Sequence, residues 1–346
     1  MQKTTGLTFE PPTLPLVTLA IWSHNHVDFI SAAIAGAFAQ DYPNLEIVLS
    51  DDCSADGTFE QIQDMAAGYK GSCKLIVNQN PVNLGSRGIG LHINRIMELS
   101  HGEVVVFASG DDVARPNRAS TLVNKWIKAG RPTCAMHSSV ELFLSDGIAT
   151  GIELPGMAEF GSQSVYECVR AGATGVLGAS LAITRGIYDR FGPLPELILL
   201  EDRTLAFRAL LVGSILYCPE ILVDYRRHED ALSGDAIYSQ SARWEKWINC
   251  MIGNLECFRR DYLSSLATNP LDKEIILQIE KGKQRVMRTC KLVTGNPFER
   301  GLAAFHYSSS FKASNRLVFI LHRMGLQDTF VYRMLSFLWR LTSRFI

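Results

Sequence analysis

The feature that most constrains this chain lies in residues 16–130, where short apolar runs and helical patterns alternate without interruption. LVTLAIW (16–22), LEIVLS (45–50), KLIVN (74–78) and EVVVFAS (103–109) are runs of strand length with almost no polar alternation. Between and after them, FISAAIAGAFAQ (29–40), TFEQIQDMAAGY (58–69), GIGLHINRIMELS (88–100) and PNRASTLVNKWIKA (116–129) repeat apolar residues at three- and four-residue spacing. Pro116 suits the first position of the last of these helices. Strands that are apolar on both faces must be covered on both faces, so the expected fold is α/β: a mostly parallel sheet with helices on either side. Right-handed crossovers then bring the loop after each strand to one edge, where ligands of such sheets bind.

The section 131–235 is less regular. Strands are expected at TCAMHSSVELFL (133–144), GASLAIT (178–184), ILYC (215–218) and ILVDYR (221–226), with a helix at LEDRTLAFRALLVG (200–213). From about residue 236 the pattern turns helical, with Trp244, Trp247, Ile248, Met251, Leu255 and Phe258 three or four residues apart. The expected organisation is a leader over 1–15, a main α/β domain over 16–235 divided near residue 130, and a helical C-terminal region over 236–346. The chain's 346 residues, 47% of them hydrophobic, suffice for a large core. A net charge of -1 provides no field for a nucleic acid. The 8 cysteines are scattered with no CxxC pair and read as small hydrophobes in a reducing compartment. The N-terminus lacks the apolar core of a signal peptide, and arginines interrupt every long apolar stretch near the C-terminus, so no segment is expected to span a bilayer.

Three polar clusters fall where this layout puts the ligand edge: SDDCSADG (50–57), NQNPVNLGSRG (78–88) and SGDD (109–112). An Asp-rich loop of this kind also serves as a turn or helix cap. Three on one edge point to a charged ligand. The adjacent carboxylates of Asp111 and Asp112 repel each other, which makes a cation a natural partner. Hard oxygen donors favour Mg2+ or Mn2+, bound through one or two carboxylates together with substrate phosphates.

In chain order, VTLAIWSHN (17–25), AFAQDYPNLEIV (37–48), LEIVLSDDCSADGT (45–58), NPVNLGS (80–86), HGEVVVFASGDDVARPNR (101–118) and LLEDRTLAFRALLVGSILYCPEILVDYRRH (199–228) resemble the successive motifs of the family 2 glycosyltransferases, which have the GT-A fold. The resemblance implies a GT-A (Rossmann-like) sheet and an inverting, metal-dependent transfer from a nucleotide-diphosphate sugar, UDP foremost, to a hydroxyl acceptor. It further implies a role in cell-surface polysaccharide or lipopolysaccharide assembly, with a saccharide or lipid-linked saccharide as acceptor. Ser109 matches the first acid of the family's Asp-x-Asp motif and Asp111 the last. The match implies that Asp111 holds Mn2+ or Mg2+ against the donor diphosphate, while the Ser109 hydroxyl faces the ribose. Asp52 matches the acid that contacts the donor base, with Asp51 as its structural neighbour. Ser23 and Asn25 match residues lining the nucleotide, and Trp22 departs from the small residue or proline usual there, reading as a packing side chain. Arg87 stands as a diphosphate contact. His228 stands as a metal contact, with Arg226 and Arg227 as alternative phosphate contacts. Asp202 matches the base that deprotonates the acceptor hydroxyl, a position that also suits a first-turn acid of a helix. His24 and His26 read as ordinary loop residues.

Residues 236–346 lie outside the resemblance. In the last stretch, 316–346, Arg316, Arg323, Arg333, Arg340 and Arg344 border an apolar face that includes Phe330, Met334, Phe337, Leu338, Leu341 and Phe345. Such a helix lies on an anionic bilayer at the cytoplasmic face, or packs on the catalytic domain or a dimer partner. Two other readings share the sheet: a sugar nucleotidyltransferase, for which the glycine-rich loop after the first strand is missing, and an inactive nucleotide-binding scaffold, for which Ser109 would speak.

Overall fold

The computed structural model describes residues 14–144, 149–154, 165–171, 175–227, 241–265 and 273–294. The strand–helix alternation is present: β1 (Val17–Ser23), α1 (Ile30–Phe38), β2 (Leu45–Asp51), α2 (Thr58–Gly68), β3 (Lys74–Gln79), α3 (Ile89–Leu99), β4 (Val104–Ser109), the short β5 (Val113–Ala114) and α4 (Arg118–Lys128). There follow β6 (Cys134–Leu144), β7 (Ala149–Leu154), α5 (Val165–Ala171), a 3-10 turn Gly178–Ser180, β8 (Ala182–Thr184), α6 (Arg185–Phe191), α7 (Glu201–Val212), β9 (Ser214–Arg227), α8 (Ser241–Ser265) and α9 (Lys273–Thr294).

One sheet runs β3-β2-β1-β4-β8-β6-β9-β5, with β7 added beside β6. Its first four strands are parallel neighbours, and β8 turns antiparallel to both β4 and β6. Successive residues of one strand go to opposite faces. Leu19 and Ile21 of β1, with Val104 and Val106 of β4, bury against Ile30 and Ile34 of α1, Ile62 of α2 and Leu122 and Trp126 of α4. Ala20, Val105 and Phe107 bury on the other side against Ile93 and Ile96 of α3 and Leu205 of α7. This two-sided burial is why the runs carry no polar alternation; each such side chain contributes roughly 1.5–3 kcal/mol.

The less regular section differs from expectation in identifiable ways. ILYC and ILVDYR form one strand, β9, which slips register so that Ser138 pairs with Cys218 while Ser139 pairs with Ile221. Pro219 and Glu220 occupy the slip, where a residue without an N–H interrupts the ladder but not the strand. Of GASLAIT, Ala182–Thr184 is strand, and the part before it is the 3-10 turn. β5, β7, α5 and α6 are too short or too mixed in polarity to leave a periodic signal. The helical C-terminal pattern appears as α8 and α9. Ile248, Leu255 and Phe258 are buried, and Leu255 and Phe258 join Phe207 and Leu211 of α7 and Ile275 and Ile279 of α9 in a third apolar cluster. Phe258 stacks on Phe207 with centroids 4.1 Å apart. Among the described residues, no helix is long and apolar enough to cross a membrane. The leader up to residue 13 and the arginine-bordered stretch 316–346 lie outside the described residues.

Candidate functional site

The parallel strands β1, β2, β3 and β4 end level with one another: Ser23 pairs with Asp51, Asp51 with Gln79, and Trp22 with both Ser50 and Ser109. The three polar clusters therefore share one edge. Asp51 is fully buried and closes the loop after β2: Oδ2 accepts the Ser54 amide at 2.9 Å and Oδ1 the Ser54 hydroxyl at 2.5 Å. The buried Ser23 hydroxyl also reaches Asp51, at 3.4 Å. Asn25 takes a left-handed backbone (φ 54°) and ties into the same loop: its amide donates to Ser54 Oγ at 2.8 Å, and its Oδ1 accepts from Ala55 at 3.0 Å.

Asp52 works on the neighbouring loop. Its Oδ1 accepts Asn80 Nδ2 at 2.8 Å and the Leu84 amide at 2.9 Å, while Oδ2 accepts the Gly85 amide at 2.7 Å. One carboxylate thus holds the 80–85 loop by its donors. Behind it, buried His92 accepts from the Ser50 hydroxyl at Nε2 (2.8 Å) and aims Nδ1 at Asp52, 3.9 Å away. Burial pulls the His92 imidazole down to about 4, so it is neutral near pH 7. In front, His24 donates from Nδ1 to the Asp52 carbonyl (2.9 Å) and accepts Asn83 Nδ2 at Nε2 (2.8 Å). These groups enclose a cavity of about 280 Å3 lined by Trp22, His24, Asp52, His92, Ile89 and Leu199, with the 83–86 loop at its rim. His24 is therefore no ordinary loop residue but a wall of this cavity, and Trp22 both packs on the core below and faces the cavity.

Leu199 reaches the cavity from the second half of the chain. The segment leading to α7 docks on α3: Asn94 exchanges hydrogen bonds with Leu194 at 2.8 Å in both directions, and the Leu197 amide donates to the Arg87 carbonyl at 2.9 Å. Gly88, at φ 144°, makes this approach feasible, since a Cβ there would lie 2.8 Å from the Leu197 nitrogen. Arg87 is exposed and ion-paired with Glu196 of the same segment.

At the end of β4 the chain turns sharply. Gly110 donates to the Trp22 carbonyl at 2.9 Å, and a Cβ at this position would come within 2.8 Å of Ser23 Cβ. Ser109 is buried; Asp111 is half-buried. Asp112 points inward: Oδ1 accepts the Arg226 amide at 2.8 Å, and burial, then the charge of Asp111, pushes its carboxyl well above the usual range. Arg226 donates from Nε to the Asp111 carbonyl at 2.8 Å, with its guanidinium 4.7 Å over Phe29 and 4.1 Å over Phe143. It shapes the aspartate turn from below, while Arg227 is exposed. Asp111 is thus the carboxylate of the pair turned toward the edge. Among the described residues no three His, Cys, Asp or Glu side chains gather into a metal-binding group. One hard carboxylate beside a diphosphate is, however, an ordinary donor set for Mg2+ or Mn2+, so Asp111 fits that group. His228 lies outside the described residues.

The acid matched to the base sits on the same edge. β8 runs antiparallel to β4, pairing Ala182 with Val106, so the turn Gly178–Ser180 ahead of β8 lies beyond Val106 toward Ser109. Asp202, in the first turn of α7, abuts this turn: a Cβ on Gly178 would lie 3.3 Å from Asp202 Oδ2 and 3.4 Å from Glu201 Oε1. Its Oδ1 accepts the Arg203 amide at 2.7 Å. Burial raises the Asp202 carboxyl, and burial with the neighbouring Asp202 charge raises Glu201 to about 8. The two acids titrate as a pair in which burial favours the protonated form of each. Glu201 and His92 went unread in the sequence: a buried histidine on a helix carries the same periodicity as any core residue, and an acid next to Asp202 reads as a first-turn charge.

A sheet whose parallel half ends in aspartate loops, continued by a mixed half in which β8 is antiparallel to its neighbours and β6 parallel to β9, with an acid in the first turn of a helix on the same edge, has the GT-A fold. This chain matches the family model "Glycosyl transferase family 2" over residues 18–140. It is similar to an uncharacterized protein of Mycobacterium tuberculosis, 26% identical over 243 residues, a match that takes in 68% of this chain and 65% of that one. It is also similar to the succinoglycan biosynthesis protein ExoO of Rhizobium meliloti, 29% identical over 123 residues, 35% of this chain and 33% of ExoO. Among solved structures, S. aureus TarS 1–349 in complex with UDP-GlcNAc superimposes with a TM-score of 0.56 at 14% identity, over 94% of this chain and 92% of that one. The mannosyltransferase PcManGT of Pyrobaculum calidifontis, in complex with GDP-Man and Mn2+, gives 0.52 at 15% identity, over 94% of this chain and 84% of its own. At such identities the two structures speak for the fold.

Proposed function

We propose that the chain is an inverting glycosyltransferase that moves a sugar from a nucleotide diphosphate, with UDP first among candidates, to a hydroxyl of a saccharide or lipid-linked saccharide. The observation that carries this reading is the placement of Asp111 and of the burial-raised Asp202 on one sheet edge, beside a cavity of about 280 Å3 lined by Trp22, His24 and Asp52. Asp111 would hold a divalent cation, Mn2+ or Mg2+, which supplies charge neutralisation for the leaving diphosphate. Asp202 accepts the proton of the acceptor hydroxyl as its oxygen bonds to the anomeric carbon and the bond from that carbon to the diphosphate oxygen breaks. The donor base is assigned to the cavity between Trp22, His24 and Asp52, with Ser23 and Asn25 shaping the loops around it and Ser109 toward the ribose. Arg87 reaches the diphosphate after exchanging its Glu196 partner. The ExoO similarity favours a polysaccharide-building acceptor.

Titrating UDP calorimetrically, in Mn2+ and then in chelator, tests the reading. Wild type is expected to bind only with metal, Asp111→Ala to lose that binding, and Asp202→Asn to keep it while losing transfer by about a hundredfold or more. Undiminished transfer by Asp202→Asn would remove Asp202 as the base.

A further inference from the structure

Arg118 is the first residue of α4 and one of the largest side chains with no exposed surface. Its Nη2 donates to two carbonyls at once: Phe107 on β4 at 2.7 Å and Ala179 in the 3-10 turn at 3.0 Å. Phe107 lies two residues before Ser109, on the strand that ends in Asp111. Ala179 follows Gly178, the glycine against which the Asp202 carboxylate rests. One guanidinium group therefore spans the two pieces of backbone that carry the reacting groups. Its Nε and Nη1 meet no hydrogen-bond partner among the described residues, and the nearby charge that favours it is Asp112. A side chain of similar volume without charge would serve packing better, because a buried cation with unmet donors opposes folding. What an apolar side chain lacks is a planar nitrogen whose two hydrogens reach both carbonyls at once, and the long guanidinium stem sets that nitrogen between them.

We propose that Arg118 is a positioning residue for the transfer step, holding the end of β4 and the Gly178–Ser180 turn in register so that donor and base stay aligned. This rests on the roles given to Asp111 and Asp202 above. Displacements of the order of an ångström in such alignment cost about a hundredfold in rate without weakening binding. A residue that only stabilised the fold would behave differently, lowering melting temperature, donor affinity and turnover together.

The test uses the full chain, as Arg118→Lys and Arg118→Gln. UDP with Mn2+ is the binding probe, and turnover is followed as nucleotide release from UDP-glucose, UDP-GlcNAc, GDP-mannose and dTDP-rhamnose. Both variants are expected to bind UDP within about threefold of wild type, to keep the donor KM, and to lose kcat by roughly 30- to 100-fold. Lys, retaining charge and donors, is expected to lose less than Gln. Unchanged kcat in both variants, or a joint fall of melting temperature, UDP affinity and kcat, overturns the positioning role while leaving the glycosyltransferase reading in place. A wild type that turns over none of these donors overturns that reading, and the role of Arg118 with it.

Discussion

Glu201 and Asp202 share one corner beside Gly178, and their protons decide what the corner can do. Glu201 is raised from 4.5 to about 8 by burial and by its neighbour. The folded state therefore binds this proton more tightly than the unfolded chain. The stability it contributes is complete below about pH 4.5 and is lost as the pH rises through about 8. Glu201→Gln, which mimics the protonated acid, is expected to gain stability over wild type progressively from about pH 4.5 to about pH 8, by up to about 1.4 kcal/mol per pH unit, and to hold that gain above it. Urea unfolding at a series of pH values measures this. Its transfer rate near pH 7 is expected to remain within about threefold of wild type, in contrast to Asp202→Asn; a collapse of Glu201→Gln activity would show that the charge itself is needed. At this scale the acids of the strand ends were legible, because their type and spacing announce a strand-end loop. Their division of labour was not. Asp51 and Asp52 are adjacent in sequence, yet one closes its own loop and the other holds the loop after β3, since adjacent side chains at a strand end point to different neighbours.

Among the elements, the parallel strands and their helices were readable because burial on both faces leaves a nearly unbroken apolar run, a local signal. The continuity of β9 across Pro219 was hidden, since it depends on β6 lying alongside to tolerate the slip. α8 shows the same dependence on a partner. Arg208 of α7, with no exposed surface, donates from Nε to Asp261 of α8 at 2.7 Å, and Asp261 is 2% exposed. Removing one member of such a pair leaves an unpaired buried charge. Asp261→Ala is accordingly expected to cost about 3–5 kcal/mol, read from the urea midpoint, whereas replacing Glu256, the exposed member of the Lys283–Glu256 pair, should change it by under about 1 kcal/mol.

For the molecule as a whole, the two halves meet at the docked segment that passes Gly88 and delivers Leu199 to the cavity. A donor bound there would be held by loops from both halves and so would stabilise the fold by mass action. UDP at a hundred times its dissociation constant, with Mn2+, is expected to add about 2.7 kcal/mol, seen as a rise in melting temperature that chelator reverses. In Asp111→Ala the rise should be absent. A shift of equal size in that variant would place nucleotide binding elsewhere.

The amino-acid sequence by itself determined the alternating layers, the edge on which polar loops collect and the resemblance to a glycosyltransferase family model, because each is written in local periodicity and in short motifs of fixed spacing. Only the tertiary structure decided which of those polar groups line the cavity and which hold loops. It turned Asp112 inward to Arg226, set Glu201 beside Asp202, made His24 a cavity wall and put Arg118 between two backbones. The physical reason is that burial, proton affinity and hydrogen-bond geometry depend on groups far apart in the chain: Arg118 and Ala179 are 61 residues apart, yet 3.0 Å separates their bonded atoms.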